Sequence, residues 1–208
     1  MIWQAVFLGT IQGLTEFLPV SSSAHLILIP LVFHWDSPLL NSLSFDVALH
    51  GGTLLAAMTY FWDDLRDLAF CWFEPMDSPT RRGNRRLAVL LGVATLPGAL
   101  AGYKLDRYAE EAFRSPALMA WTFLLFGILM GAADYFSKEE EDTSRLSVFK
   151  VFLGGCFQAL AIIPGVSRSG STLTFLRAVR ITRPDAARFS FLMSIPLIAG
   201  AVVFKGKA

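Results

Sequence analysis

Only two of the 208 residues are cysteine, Cys71 and Cys156, and neither stands in a CxxC pair or beside a histidine. That excludes a disulfide framework and a zinc cluster and leaves two free thiols. Charge is scarce too: charged residues make up 17% of the chain, against about 25% in an ordinary soluble domain. The formal net charge is +1, so there is no basic excess to attract nucleic acid. No Lys or Arg precedes Arg66, which removes the basic start of a cleavable signal peptide. The strict apolar/polar alternation of a membrane β-barrel is also missing.

What fills the chain is apolar. Hydrophobic residues reach 54%, and Phe alone occurs 18 times. A soluble fold of this size could not cover that surface and stay wettable, and a disordered chain would not carry it. The bilayer is therefore the solvent and the spans are helical. Four full spans are predicted at 45–62, 87–103, 117–133 and 189–204, each near the lower limit of what crosses a bilayer. Charged connections separate them at 63–86, 104–116 and 134–147, and the runs 81–86 and 139–142 read as solvated loops.

Two further apolar regions, 1–33 and 148–179, are broken in the middle. The breaks are Pro19-Val20-Ser21-Ser22-Ser23 and Pro164-Gly165-Val166-Ser167-Arg168-Ser169-Gly170-Ser171. Lipid cannot satisfy the backbone of such a break, so it must be buried in protein or line a wet cavity. Each region reads as a re-entrant hairpin. Phe7-Leu8-Gly9, Pro19 and Ser22 recur 145 positions later as Phe152-Leu153-Gly154, Pro164 and Ser167. The expected plan is a single all-α integral membrane domain over 1–208, with a first repeat at 1–145 and a partial second at 146–208. If the loop after Trp35 lies outside, twelve basic residues fall inside and five outside, with Arg168 set apart in its hairpin. The two hairpins then enter from opposite sides, an inverted repeat whose tips can meet near the midplane.

The tips carry the chemistry. Glu16 is the only formal charge before Asp36, and Gln12 shares its helix face at i, i+4. An acid at membrane depth either is protonated and hydrogen-bonded or faces a cavity and works. In the second case Glu16 and Gln12 offer two oxygens to a hard cation. His25 follows Ser21, Ser22 and Ser23 closely, which suits acid/base or nucleophilic work as well as plain packing. Arg168, a permanent cation in a membrane break, needs an anion: Glu16 as counter-ion, or a phosphate gripped by its planar fork. Gly165 and Gly170 permit unusual backbone angles that expose N–H groups, and Ser167, Ser169, Ser171 and Thr172 add hydroxyls. Asp46 and His50, also at i, i+4, read as a local pair near the outer end of a span. Arg177, Arg180, Arg183 and Arg188 read as anchors at the inner leaflet.

From Gln12 through Glu16, Pro19-Val20-Ser21-Ser22 and His25, the chain resembles the [EQ]xxxE signature. The stretch from Pro164 to Thr172 resembles the PGxSRSxxT signature. Together they resemble the undecaprenyl-diphosphate phosphatases of the bacitracin-resistance type, along effectively the whole chain. The resemblance implies a multi-pass enzyme of the bacterial inner membrane, its site open to the periplasm. The implied reaction removes the terminal phosphate of undecaprenyl diphosphate and recycles the carrier for cell-wall synthesis. It also implies a divalent cation, Mg or Ca, on Glu16 and Gln12. Glu16, Ser22, His25 and Arg168 would be catalytic, and Gly165, Ser167, Arg168, Ser169, Gly170 and Thr172 would bind substrate. Water, Ser22 and His25 all stay open as nucleophile. The implied partners are a prenyl diphosphate and membrane lipids, with no nucleic acid; a homodimer is compatible with the reading. Family members usually continue for about two more spans. Inverted repeats with broken helices also serve transporters, so translocation of a phosphorylated lipid through the same site is the alternative function.

Overall fold

The computed structural model describes residues 1–73, 79–112, 115–137 and 141–205, with 106–112 described by backbone alone. The remaining parts of the expected connections and of the tail lie outside the described residues. All regular structure among the described residues is helical, apart from one isolated bridge between Glu141 and Ile181.

Both broken regions fold as helix, break, helix. The first hairpin is α1 (Ile2–Thr15) and α2 (Ser22–Val32). The second is α7 (Val148–Ala159), continued by a 3₁₀ turn at Leu160–Ile162, and α8 (Arg168–Ala178). The returning helices α2 and α8 are 11 residues each, starting after Ser21 and Ser167. Pro19 and Pro164 sit inside the breaks, where the missing N–H and fixed φ discourage a continuous helix. Each tip also holds a left-handed residue, Ser21 at φ 55° and Gly165 at φ 90°.

Between the hairpins lie α3 (Leu43–Tyr60), α4 (Trp62–Phe70), α5 (Pro79–Ala112) and α6 (Pro116–Phe136), and the last helix is α9 (Arg183–Lys205). Serine side chains cap several of these: Ser42 accepts from the Phe45 amide, Ser115 from Leu118 and Ser147 from Lys150. Among the described residues, three helices are long and apolar enough to cross a membrane: Pro79–Leu105, Pro116–Phe136 and Arg183–Lys205. The fourth expected span, α3, is an 18-residue helix interrupted by Asp46 and His50. Large apolar side chains such as Trp121, Leu125 and Ile128 stand exposed along α6, as a lipid-facing helix requires. The chain is thus an all-α integral membrane protein.

The loop expectation for 81–86 is corrected. That basic run forms the first turns of α5, which also continues to Ala112 through the expected connection. Arg, Lys, Glu and Ala are good helix formers, so the helix outruns its apolar core at both ends. The acidic run 139–142 lies partly outside the described residues; its Glu141 exchanges backbone hydrogen bonds with Arg180 and Thr182.

Segments assigned to one side by charge do converge. Arg86 donates to the Leu146 carbonyl at 2.6 Å, Arg188 pairs with Asp64, and Arg177 and Arg183 both hold Asp134 at 2.7 Å. Arg177 is not a lipid anchor. It is 4% exposed, and it ties α8 to α6 while donating to the Ile181 carbonyl.

Glycine fixes two close approaches. Gly155 of α7 lies on α5, where a Cβ would come within 2.3 Å of the Ala94 carbonyl oxygen. Gly165 seats the second tip on α6: a Cβ there would meet Thr122 Oγ1 at 2.1 Å and the Met119 carbonyl at 2.6 Å. Thr122 in turn donates to the Pro164 carbonyl at 2.8 Å. Gly165→Ala therefore combines a backbone clash with a left-handed φ, and the expected loss is about 1–3 kcal/mol or more. Thermal unfolding in detergent checks this against Gly131→Ala, where a Cβ meets nothing within 4 Å and stability should hold.

Candidate functional site

The two tips touch. Ser169 Oγ donates to the Leu18 carbonyl at 2.9 Å, and a Cβ on Gly170 would lie 3.4 Å from Pro19 Cβ. Across this seam Arg168 Nη2 donates to Glu16 Oε1 at 2.7 Å, joining residues 152 positions apart. Glu16 is 6% exposed, so the carboxylate depends on its partners rather than on water. Its other oxygen, Oε2, accepts from Gln12 Nε2 and from Ser22 Oγ, both at 2.7 Å. His50 Nε2 lies 3.4 Å from the same oxygen.

A cavity of about 270 Å³ opens beside this cluster, lined by Glu16, Ser22, His50, Gln158, Ser167 and Arg168 on its polar part. Gly98, Gly102, Leu197, Ile198 and Ala201 continue it along α5 and α9. Two helices start at the polar part, α2 at Ser22 and α8 at Arg168. Each start presents partial positive charge, so two helix N-termini and a guanidinium face one space. Arg168 gives only part of its fork to Glu16: Nη1 is buried and has no hydrogen-bond partner among the described residues. The counter-ion reading of Arg168 is therefore realised on one nitrogen, and a second donor stays free for an anion.

The residues expected at the site divide. Gln12, Glu16, Ser22 and Arg168 come together, and Ser167 lines the same cavity. Others hold the hairpin instead. Ser167 Oγ caps α8 by accepting from the Gly170 amide at 3.1 Å, so that N–H is not free for an anion. Gly170 lies against the Ser167 side chain and within van der Waals range of Pro19, and Gly165 packs on α6. Ser169 bonds to Leu18 and Ser167; Thr172 Oγ1 donates to helix carbonyls and meets Ser190 of α9 at 2.6 Å. Thr172 is 1% exposed and lies in the packing between α8 and α9.

The histidines exchange places. His25 Nδ1 bonds to the Ser21 carbonyl at 2.9 Å, and its ring lies edge-on to Phe123 of α6, 6.5 Å between centroids. It is not among the residues lining the cavity. His50 also spends Nδ1 on a backbone carbonyl, that of Asp46 at 2.7 Å, but its Nε2 reaches Glu16. Its bond to Asp46 thus goes to the main chain, not to the carboxylate that i, i+4 spacing suggested. The signal that could have found His50 is a titratable group on the span next to a hairpin. Gln158 was missed as well. It stands six residues before Pro164, much as Gln12 stands seven before Pro19.

No group of three or more His, Cys, Asp or Glu side chains gathers as a metal cage among the described residues. A smaller set has the donor types for a hard cation: Gln12, fully buried, turns its Nε2 to the Glu16 carboxylate and leaves its Oε1 without a partner among the described residues. One carboxylate and one amide oxygen suit an ion that takes its other ligands from phosphate and water.

A family model described as bacitracin resistance protein BacA matches residues 5–208. The chain is 47% identical to an undecaprenyl-diphosphatase of Moorella thermoacetica, covering 99% of this chain and 76% of that protein. It is 44% identical to one of Gemmatimonas aurantiaca over 98% of this chain and 76% of the relative. It is 47% identical to one of Alcanivorax borkumensis over 100% and 77%.

Removing one partner of the central pair leaves the other charge buried alone, which costs about 3–5 kcal/mol. Glu16→Gln and Arg168→Gln should each lower the unfolding temperature, while the double change should recover part of the loss. A double-mutant cycle on thermal unfolding checks this, and additive losses would show that the pair is not coupled.

Proposed function

The chain belongs to the bacitracin resistance protein BacA family, and from that membership we propose that it hydrolyses undecaprenyl diphosphate to undecaprenyl phosphate and inorganic phosphate. The observation that carries this reading is Arg168, which lines a cavity where two helices begin and keeps a buried Nη1 without a hydrogen-bond partner among the described residues. Such a space is built for a phosphoryl group.

Arg168 uses Nη2 to hold the Glu16 carboxylate and Nη1 to grip the terminal phosphate. Ser22 is the nucleophile, because its hydroxyl already donates to Glu16 at 2.7 Å. As Ser22 Oγ bonds to the terminal phosphorus, its proton passes to Glu16 and the bond to the bridging oxygen breaks. Prenyl phosphate leaves. Water then attacks the phosphoserine with Glu16 as base: the bond from phosphorus to Ser22 Oγ breaks, the proton taken from water passes from Glu16 to Ser22 Oγ, and inorganic phosphate is released. His50 Nε2, 3.4 Å from Glu16, is placed to take up a proton from that carboxylate between the steps. The starts of α2 and α8 stabilise charge on the transferring group. A magnesium or calcium ion held by Glu16 and Gln12 would neutralise the diphosphate.

The same geometry supports a side. Arg85 and Arg86 stand near the start of α5, and Arg183 and Arg188 near that of α9, while the cavity is lined by Gly98, Gly102, Ala201 and Lys205 farther along both helices. From Arg86 to Gly98 is about 18 Å of helix. The cavity therefore opens away from the basic end. With basic residues inside, that is the periplasmic face of the bacterial inner membrane.

Purified protein given a prenyl diphosphate should release phosphate, and EDTA should lower the rate. Ser22→Ala should abolish labelling of the protein by a substrate carrying radioactive terminal phosphate. Arg168→Lys keeps charge but loses the fork, with an expected loss of about 2–4 kcal/mol in kcat/KM and unchanged folding yield. A Lys variant with normal turnover would refute the clamp.

A further inference from the structure

A buried amide at the cavity has no role in the chemistry so far. Gln158 is 1% exposed, and neither Nε2 nor Oε1 finds a hydrogen-bond partner among the described residues. A buried amide with both ends unsatisfied is rare, because it has given up water for nothing. The chain nevertheless makes room for it. A Cβ on Gly98 of α5 would lie 3.1 Å from Gln158 Nε2, so glycine at that point leaves the amide its place. The helix that carries Gln158 is held firmly, with Gly155 against the Ala94 carbonyl and Gly154 under the Phe175 ring. An amide fixed this way and left unpaired on a cavity wall is a ligand waiting group.

Its position selects the ligand. The terminal phosphate of the substrate must reach Ser22, Glu16 and Arg168. The prenyl chain must leave along the apolar part of the same cavity, past Gly102, Ile198 and Ala201. Gln158 neighbours Gly98 and shares that wall with Leu197, where the polar part gives way to the apolar one. We infer that Gln158 binds the inner phosphate, the one that stays on the lipid, through a hydrogen bond from Nε2 to a non-bridging oxygen. A neutral donor suits this phosphate, since the product that retains it must leave. The inference rests on the phosphatase reading.

The test is Gln158→Met, which keeps the length of the side chain and removes both polar ends. In the wild type these ends bond to nothing among the described residues, so the variant should unfold at the same temperature or higher. Its KM for farnesyl diphosphate should rise roughly 10–100-fold. Inhibition by farnesyl phosphate, which carries the inner phosphate, should weaken by a similar factor, while inhibition by inorganic phosphate should not change. Gln158→Glu, a carboxylate of the same size, should weaken farnesyl phosphate binding further by repulsion. Unchanged KM and farnesyl phosphate inhibition in the Met variant would overturn the assignment. So would equal weakening toward both inhibitors, which would place the amide on the terminal phosphate. A Met variant that fails to fold would make Gln158 a structural group and also overturn it. If the wild type releases no phosphate, the phosphatase reading fails instead; farnesyl phosphate binding, followed by thermal shift, still tests Gln158.

Discussion

A buried ion pair joins the tips of the two hairpins. Glu16 sits at the end of the first hairpin's outer helix and Arg168 at the start of the second hairpin's return helix. Neither charge is tolerable alone at that depth. Much else follows from holding them together. The breaks must bring the tips into contact, which Gly170 against Pro19 and Ser169 on the Leu18 carbonyl accomplish. The second tip must be seated on α6, which Gly165 and Thr122 accomplish. The spans that follow the hairpins, α3 and α9, pack on each other and close the centre.

The pair is also only half satisfied on the arginine side, and that incompleteness is what links stability to chemistry. Arg168 Nη1, Gln12 Oε1 and the Gln158 amide are buried polar atoms without partners among the described residues. They sit around or beside one cavity, whereas the hydroxyls of Ser169, Ser171 and Thr172 are fully occupied by backbone and neighbouring helices. The second signature thus has two jobs. Arg168 points into the cavity and its small neighbours let the helices approach closely.

Architecture was legible because it rests on signals that act over short stretches. A proline among serines inside an apolar run can hardly continue as membrane helix, so both hairpins could be read. The excess of basic residues in 63–86, 134–150 and 177–188 marked segments that do meet in space. Helix ends were less legible, because α5 extends through charged residues that are themselves good helix formers. The site was legible where one side chain is alone in its surroundings, as Glu16 and Arg168 are. It was not legible where direction matters. His25 and His50 bond alike to the carbonyl four residues back, and only the packing of their helices turns one ring to Phe123 and the other to Glu16. For Gly165 and Thr172, motif membership did not reveal that their neighbours are other helices.

The separation of 152 residues between Glu16 and Arg168 has a consequence during biosynthesis. At about 5–20 residues per second, the ribosome needs about 8–30 s to go from one to the other. Glu16 enters the membrane long before its cation exists. Its remaining partners, Gln12, Ser22 and His50, all lie in the first 50 residues. The nascent first half carries its own escort for the acid, three polar groups that can hold the carboxyl group until the second hairpin arrives. Those three residues are therefore under two demands, one from the finished site and an earlier one from the unfinished chain.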